Sequence, residues 1–178
     1  MKNNKGITML SLALTIMILI ILATITMYYG NSAMKIAKLQ DLKTNMLLIQ
    51  ASLKNDLEKY HFETSTMNEE NKNSKKSEYL KGKEISSPDC IEIKKVFDDI
   101  NIKNIINEDY PEIEGAFEYY YLDTNTLKQL GLKDVESSDK NGYYIVAYSM
   151  DSTYPNIVEV INTKGYMGNY SLRRIESL

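Results

Sequence analysis

Oxygen-bearing side chains crowd one stretch of this 178-residue chain: Asp134, Glu136, Asp139 and Asn141 place four donors within eight residues, just ahead of Gly142. Calcium takes oxygen ligands of this kind, but the spacing is not that of a twelve-residue calcium loop. Acidic residues before Asn-Gly ordinarily serve the turn itself, so the turn is the preferred reading and no metal or other cofactor is expected. His61 is the only histidine and has no Cys or His near it in sequence, which argues against a metal site and leaves little for acid–base work. Cys90 is the only cysteine, so no internal disulfide can form, and a buried free thiol is expected. There is no nucleophile elbow, phosphate-binding glycine loop or zinc-type spacing. The chain is not expected to be an enzyme. A different kind of chemistry is suggested by Thr8, Ser11 and Thr15, whose spacings of three and four put them on one helix face. Such hydroxyls either bond across a close helix–helix contact in lipid or bond back to their own helix carbonyls.

The element that carries those hydroxyls is a run of twenty-one residues, Ile7 to Met27, without Asp, Glu, Lys, Arg, Pro or Gly. As a helix it would be about 31 Å long, close to the hydrocarbon thickness of a bilayer. It is too long for the core of a secretory signal peptide, and the first small-residue cleavage site, at Asn31-Ser32-Ala33, lies beyond Tyr28-Tyr29. An uncleaved signal anchor fits the length. Lys2 and Lys5 before the span place the N-terminus in the cytoplasm and the polar remainder outside, with Tyr28-Tyr29 as an interfacial anchor.

The junction Lys5-Gly6-Ile7-Thr8-Met9-Leu10 adds a lone glycine between a short basic leader and the apolar helix. Over residues 2 to about 27 this resembles the leader of type IV pilins and type II secretion pseudopilins. The resemblance implies cleavage by a prepilin peptidase between Gly6 and Ile7, N-methylation of Ile7, and packing of the helix, with Thr8, Ser11 and Thr15, against other pilin subunits. The family usually has Glu five residues into the mature chain, where it offsets a neighbouring subunit's terminal amine; Ser11 stands there instead. A hydroxyl cannot neutralise that amine, which points to a minor or atypical subunit. Some pseudopilins hold calcium in a C-terminal loop whose chemistry is similar to that of the 134–141 stretch.

Beyond the span, Ile36, Leu39, Leu42, Met46, Ile49, Leu53, Leu57 and Tyr60 recur at steps of three and four. This predicts an amphipathic continuation of the helix to Tyr60, roughly 80 Å from Ile7, with Gly30 the one soft point. The same stripe could serve a coiled-coil stalk. Residues 61–87 are almost wholly polar and are expected to be a loop; Lys72, Lys75 and Lys76 are diluted there by Glu69, Glu70 and Glu78. Ser86-Ser87-Pro88-Asp89 predicts a helix start, running to about residue 99 and on to Tyr110-Pro111. Phe117–Leu122, Gly142–Met150, Asn156–Ile161 and Tyr166–Leu172 read as strands, with turns at 139–142 and 162–165 and a short helix capped by Asp123. The fourteen tyrosines, many clustered at 119–121, 143–148 and 166–170, are assigned mainly to strands and core.

The expected fold class is α+β: a long N-terminal helix packed on a small antiparallel sheet of three or four strands. Its parts would be a leader (1–6), an assembly helix (7–29), a spine (30–60), a polar loop (61–87) and a globular domain (88–178). A net charge of −3 without a basic stripe gives no reason to expect nucleic acid. The expected function is a filament subunit of a type IV pilus or type II secretion-like system, stored in the membrane by one pass and carried to the cell surface on assembly. The alternative is a signal-anchored receptor or adhesin domain outside any filament.

Overall fold

The computed structural model describes the backbone of residues 5–178, and the side chains of all of these except 5–11, 28, 29, 31 and 69. The fold is α+β, with six α-helices among the described residues, α1 (Lys5–Thr64), α2 (Glu69–Tyr79), α3 (Ile91–Asp99), α4 (Ile102–Asp109), α5 (Thr124–Gln129) and α6 (Leu172–Glu176). Five strands, β1 (Lys83–Glu84), β2 (Phe117–Leu122), β3 (Tyr144–Ser149), β4 (Val158–Tyr166) and β5 (Asn169–Ser171), form one antiparallel sheet in that spatial order. The chain falls into two units, Met1–Asp41 and Leu42–Leu178.

In the second unit the sheet is covered on both faces. All six residues of β3 are buried, which a central strand manages only with packing above and below the pleat. Cross-strand register puts Tyr121, Ile145 and Ile161 in one row and Tyr119 beside Ala147 in the next. These join Ile93 and Phe97 of α3 and Ile102 and Ile106 of α4 in one apolar cluster. The opposite face carries Tyr120, Val146 and Val160 in register, flanked by Leu122, Tyr144 and Tyr148. On that side the Gln50 amide donates to the Val158 carbonyl at 2.8 Å, and Met46, Ile49, Leu53, Leu57 and Tyr60 of α1 are all buried. The predicted stripe therefore does pack on the sheet, but burial starts at Met46 and runs on to Thr64; Ile36, in the first unit, is 60% exposed.

Three expectations need correcting. Residues 61–87 are not a loop: they hold the last turn of α1, all of α2, and β1. Helix α2 has no apolar stripe, so periodicity could not reveal it. It is held by Asn68, whose side chain accepts from the Asn71 amide, by Lys75–Glu78 at 2.7 Å, and by Lys76 reaching Glu118 of β2 at 2.5 Å. Asn162–Gly165 is not the turn between two strands, because β4 runs through it. Buried Asn162 accepts from the Lys164 and Gly165 amides, absorbing a bulge, and the reversal comes at Met167-Gly168. Both of those residues have positive φ, +49° and +80°, as a two-residue hairpin of the type matching strand twist requires. The sheet accordingly has five strands, the extra edge being β1. Elsewhere the helix from Pro88 is interrupted at Asn101, which takes the left-handed conformation that Asn tolerates and so splits α3 from α4.

Candidate functional site

From Leu12 to Met27, α1 presents large apolar side chains on every side, with exposures from 47% at Ile18 and Ile25 to 70% at Met27. A helix apolar all round is stable only where lipid or other helices replace water. It is the one helix among the described residues that is long and apolar enough to cross a membrane. Its hydroxyls are accommodated accordingly. Thr15 donates to the Leu12 carbonyl at 2.9 Å, Thr24 to Ile21 at 2.8 Å and Thr26 to Leu22 at 2.7 Å, so their polarity is met within the helix. Of the expected packing seam only Thr15 has a described side chain; Thr8 and Ser11, and the cleavage pair Gly6 and Ile7, are described as helical backbone of α1 alone. The backbone is helical through Gly30, and a Cβ there would meet nothing within 4 Å.

The acidic stretch is built as a turn. Asp134, Glu136, Asp139 and Asn141 are all exposed, the Asn141 amide side chain lies 3.4 Å from the Glu136 carboxylate, and Ser138 bridges to Gly142. Among the described residues no group of three or more His, Cys, Asp or Glu side chains is gathered as a metal would need. Gly142, at φ +86°, has no room for a Cβ because Asn162 lies against it, and Asn162 in turn donates to the Asn141 carbonyl at 3.3 Å. The turn thus locks the start of β3 to β4.

His61 lies in a cleft of about 510 Å³ lined also by Phe62, Lys72, Lys76, Glu118 and Asn156. Its Nε2 is 2.9 Å from the Ser149 carbonyl, which only accepts, so Nε2 carries a hydrogen and pins α1 to the end of β3. Cys90 is fully buried, and burial pushes its thiol above the usual range, away from reactivity. The tyrosines at 119–121 and 143–148 serve packing. Edge-to-face pairs join Phe97 with Tyr119, Tyr120 with Tyr148 and Tyr121 with Tyr143, and burial pushes the Tyr119 hydroxyl up to about 12.

Sequence reasoning missed Glu159. It stands in the apolar strand Val158-Glu159-Val160-Ile161 and is 1% exposed, opposite Ala147. The Tyr110 hydroxyl donates to its Oε2 at 2.6 Å and the Arg173 amide, at the start of α6, donates to its Oε1 at 3.0 Å. The available signal was a single carboxylate at an inward position of a strand otherwise fit for the core. No known protein family, curated protein or solved structure matches the chain.

Proposed function

We propose that this chain is a structural subunit, minor or atypical, of a type IV pilus or type II secretion-like filament, cut by a prepilin peptidase after Gly6. The observation that carries the reading is α1 itself: one helix is apolar on all sides at Leu12–Met27 and amphipathic from Met46, where it becomes part of the domain's core. A simple anchor has no need for the membrane helix to continue as a structural member of the domain. A filament subunit does, because the same helix must leave lipid and pack against neighbouring helices while carrying its domain along. The basic leader and Gly6 before the apolar run support the reading from the sequence side. Membrane storage precedes assembly, with the N-terminus cytoplasmic, the domain outside, and other pilin subunits as partners. Co-expression with a prepilin peptidase tests this. The wild-type chain should shorten by the six-residue leader, and Gly6→Leu should stay at precursor length. Identical mobility of the two with active peptidase would sink the proposal in favour of an uncleaved anchored receptor or adhesin.

A further inference from the structure

The β4–β5 hairpin runs on past the sheet. β4 pairs with β3 from Val158 to Asn162, and the Thr163 amide still donates to the Tyr143 carbonyl; beyond that point its strand partner is β5 alone. The remaining residues up to Tyr166 carry the tip about 13 Å further at the rise of a strand. The direction of this projection is fixed within the domain. Gln50 of α1 donates to the Val158 carbonyl, and Asn45 bonds to the Tyr144 hydroxyl, whose residue stands opposite Asn162. The path from Val158 to Asn162 therefore runs back along α1, and the tip lies towards Leu42, where the chain enters the domain. The far end of the domain is marked by His61 on the Ser149 carbonyl and by Phe62 beside it.

Met167 stands at the tip, 78% exposed and in left-handed backbone. Gly, Asn or Asp suits such a position, tolerating both the conformation and the water. A methionine is disfavoured there twice, by its Cβ and by its wetted apolar chain, and leaving water removes the second penalty. Behind it come the half-buried rings of Tyr166 and Tyr170 and exposed Lys164, whose ammonium donates to the Lys140 carbonyl at 2.5 Å. An apolar point backed by tyrosines and a lysine is the composition of a membrane interface. The neighbouring turn sets Asp134, Glu136 and Asp139 against Lys140, so this end has no cationic excess and attraction to anionic lipid is not what it offers. Only residues 28–41 separate the apolar stretch from the domain, and so short a tether holds the domain at high effective concentration beside any membrane the chain crosses. We propose that the Met167-Gly168 tip is a lipid-contacting element, dipping into the outer interface of the bilayer while the chain is stored there. This depends on the membrane residence in the functional reading and not on processing at Gly6.

The chain has no tryptophan, so a single introduced indole reports on one position. Full-length Ile18→Trp, Met167→Trp and Phe62→Trp are reconstituted in phosphatidylcholine nanodiscs, with and without bromine on the acyl chains. Phe62, 82% exposed at the far end of the domain, is the reference for water, and Ile18 the reference for the apolar stretch. Brominated lipid should quench Met167→Trp by about half, quench Ile18→Trp more strongly and leave Phe62→Trp unchanged. Met167→Trp quenched no more than Phe62→Trp overturns the contact, and a blue-shifted emission without quenching does so too, since it means burial against protein. A quenched Ile18→Trp in that case leaves membrane residence standing; an unquenched Ile18→Trp removes both. Should Met167→Trp not fold, hydrogen peroxide treatment of the wild-type chain in nanodiscs serves instead. Met167 should form its sulfoxide several-fold more slowly than free methionine added to the same sample, and equal rates overturn the proposal.

Discussion

Residues 12–27 and residues 46–64 belong to the same helix, yet their side chains are patterned in different ways. The first stretch has no polar face at all, and its threonines turn their hydroxyls onto their own backbone. The second buries Met46, Ile49, Leu53, Leu57, Tyr60 and Thr64 at steps of three and four and leaves Lys54, Glu58 and Lys59 in water. Backbone geometry is shared, so the difference lies wholly in which positions around the turn are apolar. One helix thereby combines a stretch apolar enough to cross a membrane with a stretch that walls the core of a domain.

Substitutions can break that combination from either side. The largest effect is expected from Ile18→Lys. A charge at the middle of the apolar stretch costs about 3 kcal/mol of insertion and should shift the chain out of the membrane fraction while leaving the domain's thermal transition intact. Leu53→Ala should do the reverse. Removing a fully buried side chain should lower domain stability by about 2–5 kcal/mol in a denaturant titration, with membrane fractionation unchanged.

A smaller loss, about 1 kcal/mol, is expected from Asp123→Ala, because Asp123 caps α5 by accepting from the Thr126 amide at 2.8 Å. Burial raises this carboxyl, but the Thr126 donors and Lys83 more than compensate and leave it below its ordinary range. Its contribution is thus complete above the ordinary carboxylate range and is lost as pH falls through the lowered value, so the variant and wild type should converge in strong acid. Gly30→Ala is expected to do least. Nothing stands within 4 Å of the added methyl, and helix propensity favours it by up to about 1 kcal/mol; circular dichroism should show equal or slightly greater helicity.

The strongest periodic signals were also the ones that sequence reading placed well. The apolar run, the stripe ending at Tyr60, the Asp123 cap and β2 and β3 each rest on local rules that the fold does not override. What escaped depended on partners distant in sequence. Helix α2 is polar all round and is tied down by Glu118, forty-two residues on. The path of β4 through Asn162–Gly165 depends on Asn162 being buried against Gly142, and Asn-Thr-Lys-Gly reads locally as a turn. Glu159 was hidden for the same reason: its partners are Tyr110 and the start of α6, which no local pattern brings together.

The claim on which the functional reading turns is that the apolar stretch begins, in the mature protein, at a new N-terminus. Intact-mass and N-terminal peptide analysis of the protein purified from its native membrane measures this directly. The expected product is a chain starting at Ile7 and carrying one N-methyl group. A chain retaining Met1, or one starting near Met34, would contradict it.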